Sequence, residues 1–173
     1  MAAAPAPKIL FLQTGGTIDK DYPRTKNGFN FEIGNSAVES ILNKIRPSVG
    51  FNHEIVTVCR KDSQHMCLED RIKLVQIIEN TDYEKIIITH GTDTIIETGQ
   101  FLESCEIPGK TLVLTGSFLP EKFRNSDADF NIGLAIGAAL SCLESQVLLA
   151  MNGLLIRPSQ CARKDDGTFY SKS

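Results

Sequence analysis

Two stretches of this chain place hydroxyl, carboxylate and imidazole groups beside glycine, each at the end of an apolar run. Ile9-Leu10-Phe11-Leu12 leads through Gln13 into Thr14-Gly15-Gly16-Thr17-Ile18, and Ile86-Ile87-Ile88-Thr89 leads into His90-Gly91-Thr92-Asp93-Thr94. Glycine has no Cβ, so the backbone there can turn sharply and lie close to a ligand. A threonine hydroxyl is a weak nucleophile until a base or a local positive charge activates it. Thr17 follows a turn whose backbone N–H groups can stabilise an oxyanion. Thr92 and Asp93 open a predicted helix, whose N-terminus favours negative charge, either Asp93 itself or a bound carboxylate. A plain helix cap is the alternative reading of that pair. Asp62-Ser63-Gln64 is a third polar turn. Ser63 lacks the GxSxG nucleophile elbow, so its hydroxyl is read as binding a ligand or capping the turn. His90 is a candidate general base or a structural hydrogen-bonding residue, whereas His53 and His65 read as solvated. Gly15-Gly16 is not GxGxxG and no GK[ST] follows, which disfavours a nucleotide site.

The elements that position these turns alternate along the chain. Lys8 to Gln13 reads as a first strand, apolar enough to be buried on both faces. Strands follow at Glu54–Val58, Lys85–Thr89, Lys110–Thr115 and Gln146–Met151. Helical spacing is found from Asn35 or Ser36 to Ile45, stopped by Pro47, and over Leu68–Ile78, with Leu68, Ile72, Val75 and Ile78 on one face. Two more helices are expected over Thr92–Cys105 and Asp127–Leu143, the second rich in Gly and Ala. Asp19 to Gly34 reads as a long polar loop, a functional lid or a disordered segment. From Asn152 the pattern weakens to a short strand pair. Five strands with four intervening helices predict an α/β fold with a doubly wound, mainly parallel sheet. In such a sheet ligands bind beyond the carboxyl ends of the strands. Every polar cluster falls there: Thr14–Thr17 after the first strand, Asp62–Gln64 after the second, His90–Asp93 after the third, Thr115-Gly116-Ser117 after the fourth and Asn152-Gly153 after the fifth.

Composition narrows the function classes. The chain has 173 residues, 42% of them apolar, and a net charge of −3 with acids and bases interspersed. That length predicts one domain, 8–173, behind a flexible leader, 1–7, that has no signal-peptide character. No basic stripe points to nucleic acid, and no apolar run approaches the ~20 residues of a membrane span. Cys59, Cys67, Cys105, Cys142 and Cys161 are odd in number and without CxxC spacing, which argues for reduced thiols in a cytoplasmic protein over zinc or disulfides.

Thr14-Gly15-Gly16-Thr17-Ile18 and His90-Gly91-Thr92-Asp93-Thr94 resemble the two signature motifs of bacterial-type L-asparaginases, and Asp62-Ser63-Gln64-His65-Met66 resembles the substrate-binding turn between them. The resemblance covers nearly the whole chain but only the N-terminal domain of the usual two-domain enzyme, as in the small single-domain proteins of that family. It implies a three-layer α/β/α domain without the family's C-terminal domain, and an amidohydrolase that converts L-asparagine or a similar small amide to aspartate and ammonia. Thr17 would be the nucleophile, assisted by Tyr22 in the mobile loop. Thr92 and Asp93 would belong to the second catalytic cluster. Asp93, Ser63 and Gln64 would hold the substrate's α-amino and α-carboxylate groups, with Gly16, Asp62 and Gly91 also at the binding surface. The family's catalytic lysine matches Arg163 on direct counting, and Lys164 if the tail shifts by one residue. No metal or organic cofactor is implied, and family habit favours a homodimer or homotetramer. Two other readings stay open: an amino-acid-binding module with little turnover, and a subunit that needs a partner chain.

Overall fold

The computed structural model describes residues 5–26 and 28–172. Its centre is a sheet of six strands: β1 (Lys8–Gly15), β2 (Asn52–Lys61), β3 (Lys85–Thr89), β4 (Thr111–Thr115), β5 (Gln146–Met151) and β6 (Leu154–Ile156). They lie in the order β6-β5-β4-β3-β1-β2. All pairings are parallel except that of β6 with β5. The chain moves outward from β1 to β2 and then returns to β1's other side with β3. The strand order therefore reverses between β1 and β3, where the crevice of a doubly wound sheet opens.

Strand alternation builds two cores from the same residue runs. Leu10, Leu12, Ile86, Ile88, Leu112 and Leu114 face one side, against Leu74 and Ile78 of α2 (Leu68–Glu79) and Ile95 and Leu102 of α3 (Ile95–Ser104). Ile9, Phe11, Ile87 and Val113 face the other, against Val38 and Ile41 of α1 (Ala37–Leu42) and Ile132, Ala135 and Ala139 of α4 (Ala128–Ser141). Small residues on α4 let it lie close to the sheet. Helices cover both faces, so the fold is α/β with a mainly parallel sheet.

Several boundaries differ from the sequence reading. β2 runs well past Glu54–Val58 at both ends because it is an edge strand whose polar outer residues hide the apolar period. The first helix ends at Leu42 rather than near Pro47, leaving Ile45 half exposed. On α2 the buried residues are Leu74 and Ile78, whereas Leu68 and Ile72 are exposed. The inward face is therefore rotated from the one that Leu68 and Ile72 suggested. The third helix starts at Ile95, three residues late, because Thr92–Thr94 form a turn. The weak tail resolves into β6 and a hairpin of Cys161–Arg163 with Phe169–Ser171.

The expected Asp19–Gly34 loop is a folded arm. Lys20–Asp21 pairs with Glu32–Ile33, and Arg24–Thr25 with Gly28–Phe29. Asp19 closes its base: its carbonyl accepts the Gly34 N–H at 2.9 Å, and its Oδ1 accepts the Ala37 N–H at 2.8 Å. Of the expected leader, residues 1–4 lie outside the described residues, and the Pro7 carbonyl is bound by the Asn52 N–H. No helix among the described residues is long and apolar enough to cross a membrane.

Candidate active site

Three turns meet at the carboxyl ends of β1, β2 and β3, and missing side chains let them touch. Gly15 and Gly16 have φ of 107° and 86°, in the region that L side chains rarely adopt. The Gly16 N–H donates to the Lys61 carbonyl at 2.9 Å, tying the β1 turn to the end of β2. A Cβ on Gly16 would overlap the backbone of Gly91, and one on Gly91 would stand 2.7 Å from both Cβ and Oγ of Ser63. Gly16, Gly91 and Ser63 are thus stacked, one from each turn. The Thr94 hydroxyl completes the stitching by donating to the Ser63 carbonyl at 2.8 Å.

The side chains carried by these turns divide into fixed and free groups. Thr17 is half-buried in a single 3-10 turn capped by Gly16, and no described residue hydrogen-bonds its hydroxyl. Ser63 is 1% exposed, and its Oγ has no partner among the described residues. An unpaired buried hydroxyl is costly, and Asp19 Oδ2 and Thr89 Oγ1 share this state among the described residues. Asp93 is fixed at both oxygens. Arg163 Nη1 donates to Oδ1 at 2.9 Å, and Gln64 Nε2 donates to Oδ2 at 2.7 Å. The Arg163 guanidinium, followed by the Gln64 amide, holds the Asp93 carboxyl below the usual carboxylate range.

Arg163, not Lys164, reaches this cluster. Alternation along the hairpin strand Cys161–Arg163 sends residues 162 and 164 to the other face. The Lys164 ammonium instead lies 5.7 Å from the Tyr170 ring centroid. Arg163 also donates to the Thr92 carbonyl at 3.1 Å, and its guanidinium stacks 5.4 Å from the Phe118 ring centroid. A guanidinium stays charged in proteins, so this group is a permanent cation.

Of two other expected site residues, Asp62 faces the arm and Tyr22 is part of it. Asp62 pairs with Lys20 at 2.9 Å, and that ammonium also sits 4.6 Å over the Phe31 ring. Tyr22 is packed on Phe31 and Phe123 at 4.9 and 5.8 Å between centroids. The arm is thereby held against the Pro120–Phe123 turn as well as against the Asp62 turn. A cleft of about 550 Å³ lies under the arm between Asp19, Arg60 and α1, and Thr17, Thr92 and Asp93 are not among its lining residues.

Sequence reasoning named His90 but missed the partners behind the rim. His90 is fully buried, with Nδ1 at 2.8 Å from the Gly91 carbonyl and Nε2 at 2.9 Å from Thr98 Oγ1. Burial holds its pKa down at about 4, so the ring is neutral near pH 7. Asn131, also buried, donates to the Gly116 carbonyl and accepts from the Asn152 N–H, joining the turns after β4 and β5. The spacing of Thr98 after His90, and of Asn131 inside an apolar helix, was the available signal. Neither is interpretable without knowing which helix face turns inward.

The family model for the asparaginase N-terminal domain matches residues 8–170. The chain belongs to the asparaginase family. It is 31% identical to L-asparaginase 2 of Escherichia coli K12 over 161 residues, which is 90% of this chain and 46% of that protein. It is 33% identical to the L-asparaginase of Thermococcus kodakarensis over 132 residues, 75% of this chain and 39% of that one. The solved structure of the thermostable T. kodakarensis L-asparaginase superposes with a TM-score of 0.81 at 28% identity, covering 95% of this chain and 51% of that one. The probable cytoplasmic L-asparaginase of Campylobacter jejuni shares the fold, with a TM-score of 0.79 at 22% identity. This asparaginase domain spans about half the length of the relatives it matches.

Proposed function

We propose that this domain hydrolyses the side-chain amide of L-asparagine, or of a closely similar small amide, through Thr17. The observation that carries the reading is the stacking of Gly16, Gly91 and Ser63, which gathers the Thr17, Ser63 and Asp93 turns at the strand-order switch. The substrate's α-ammonium is assigned to Asp93, kept ionised by Arg163, and its α-carboxylate to Ser63 Oγ, with Gln64 and Asp62 flanking the turn. Thr17 Oγ1 then attacks the amide carbon, the tetrahedral oxyanion takes backbone N–H donors at the rim, and the hydroxyl proton passes to the amide nitrogen as the C–N bond breaks and ammonia leaves. Water attacks the β-aspartyl ester and releases aspartate and Thr17. Tyr22, carried on the arm, is assigned to assist Thr17 when the arm closes on substrate, and Thr92 to the second cluster with Asp93. We assign the domain to a cytoplasmic homo-oligomer, whose neighbouring copy would close the open rim.

Arg163 favours one competing reading. An always-charged guanidinium beside Thr92 cannot accept a proton, so a lysine-type activation of Thr92 is not available from it. A chain limited in this way would bind small amino acids with little turnover. Lys164 would answer that objection only by replacing Arg163 at Asp93.

The test is ammonia release from L-asparagine and from L-glutamine by the purified chain, with thermal denaturation run in parallel. Turnover of either amide supports the hydrolase. A ligand-dependent rise in Tm with no ammonia supports the binding module.

A further inference from the structure

A chain of hydrogen bonds behind the rim has only one self-consistent direction. The Gly91 carbonyl can only accept, so the proton of the neutral His90 ring is on Nδ1. Nε2 must then accept from the Thr98 hydroxyl, 2.9 Å away. With its proton spent on His90, Thr98 Oγ1 accepts from Arg71 Nε at 3.0 Å. Arg71 is itself held by Glu97, with 3.6 Å between the charged groups. The order is therefore Arg71 to Thr98 to His90 to the Gly91 carbonyl. The complete burial of His90 opposes a second proton on the ring, and the guanidinium at the origin of the series adds to that opposition.

The consequence is felt one atom further on. The Gly91–Thr92 peptide is trans, and in a trans peptide the C=O and the following N–H point in opposite directions. Binding the Gly91 carbonyl to a buried ring therefore turns the Thr92 N–H away from that ring. No described residue accepts from this N–H. Arg163 pins the next peptide in the same way, through the Thr92 carbonyl at 3.1 Å. The two peptides that flank Thr92 are thus each set by a side chain, and Gly16 packs directly against the His90–Gly91 peptide that precedes them.

We infer that His90 is a positioning residue: its Nδ1–H, oriented through Thr98 by Arg71, fixes the Gly91–Thr92 peptide so that the Thr92 N–H is presented to the acyl oxygen of the bound amide. This inference rests on the amidohydrolase reading for its catalytic consequence and on geometry alone for the direction of the relay. His90 touches no substrate. It acts on a donor whose strength matters most as the oxyanion forms, so its loss lowers kcat with little change in KM.

Two measurements on the intact chain test it. Long-range ¹H–¹⁵N spectra of the histidine rings read the His90 tautomer without any need for turnover. Kinetics then compare wild type with His90→Leu, His90→Asn and Thr98→Val. The asparagine side-chain nitrogen occupies the position of Nδ1, so His90→Asn retains the donor to Gly91. The expected results are an Nδ1–H tautomer, a kcat lowered about 10²-fold in His90→Leu with KM within about threefold, and substantial recovery in His90→Asn. Thr98→Val, which removes the proton on Nε2's partner, should give a mixed tautomer and an intermediate kcat. An Nε2–H tautomer in wild type overturns the inference whatever the activity. Equal loss in His90→Leu and His90→Asn, or loss confined to KM, overturns it as well. A wild-type chain with the Nδ1–H tautomer and no ammonia release would instead overturn the amidohydrolase reading and leave the relay direction standing.

Discussion

The Gly16 backbone lies against that of Gly91, which leaves no room for a methyl group on Gly16, and Ser63 leaves none for one on Gly91. This contact brings the turn after β1 to the turn after β3 across the point where the strand order reverses. Gly16→Ala should therefore damage both fold and site, since it combines a positive φ with steric overlap. The left-handed backbone alone costs about 1–2 kcal/mol. A Tm lower by several degrees is expected, with loss of any ligand-induced stabilisation by L-asparagine. Gly133→Ala is the control: a Cβ there meets nothing within 4 Å on the outer face of α4. It should stabilise by about 1 kcal/mol, or about 2–4 °C in a chain of this size.

Asp93 keeps its charge because Arg163 and then Gln64 stabilise the carboxylate. A carboxyl with a depressed folded pKa supports the fold above its unfolded pKa, and loses that support as pH falls through the folded value. Removing the guanidinium by Arg163→Ala should raise the Asp93 pKa toward the ordinary range. The acid limb of kcat/KM should then shift to higher pH, measured as initial ammonia release across pH 4–8. Arg163→Lys should shift it less, since it keeps a cation but not the two-partner fork.

Asp19 should impose the opposite pH dependence. It is 4% exposed, and burial raises its pKa to about 7 against hydrogen bonds from Ala37 and Gln13 and the charge of Arg60. Between an unfolded value near 3.8 and a folded value near 7, the folded chain holds a proton that the unfolded chain has lost. Stability contributed here is greatest at the acid end of that window and falls as pH rises, by at most about 1.4 kcal/mol per pH unit. Asp19→Asn can still accept the Ala37 N–H. It should flatten the slope of Tm against pH between 5 and 7 and raise Tm at pH 8.

Tyr22 rides on the arm, in ring contact with Phe31 and Phe123. If it assists Thr17 on closure, Tyr22→Phe should keep that packing, leave Tm within about 1 °C, and lower kcat by about 10²–10³-fold, the usual size of an acid–base contribution. A drop in kcat matched by a fall in Tm would instead assign it to packing.

The sheet was legible because its strands are uninterrupted apolar runs: Ile9–Leu12 and Ile86–Ile88 have no polar residue to confuse the period. The rim was legible because glycine and hydroxyl residues end those runs in order. Edge strand β2 was underestimated because its outer residues face water, and the arm because two-residue ribbons leave no periodic trace. The choice between Arg163 and Lys164 depends on which face of a three-residue strand turns inward, a one-residue question that spacing does not settle. His90, Thr98 and Arg71 are far apart in type and spacing, and only the packing of α2 and α3 on the sheet joins them into one series.

The central claim is that Thr17 is the nucleophile of an amide hydrolysis at the Gly16–Gly91 contact. The direct measurement is the initial rate of ammonia release from L-asparagine by wild type beside Thr17→Ala, with circular dichroism confirming equal folding. Release by wild type and its loss by about 10³-fold or more in the folded variant is the expected result, since Thr17→Ala removes the hydroxyl assigned to form the acyl intermediate. Equal rates in the two chains would contradict it.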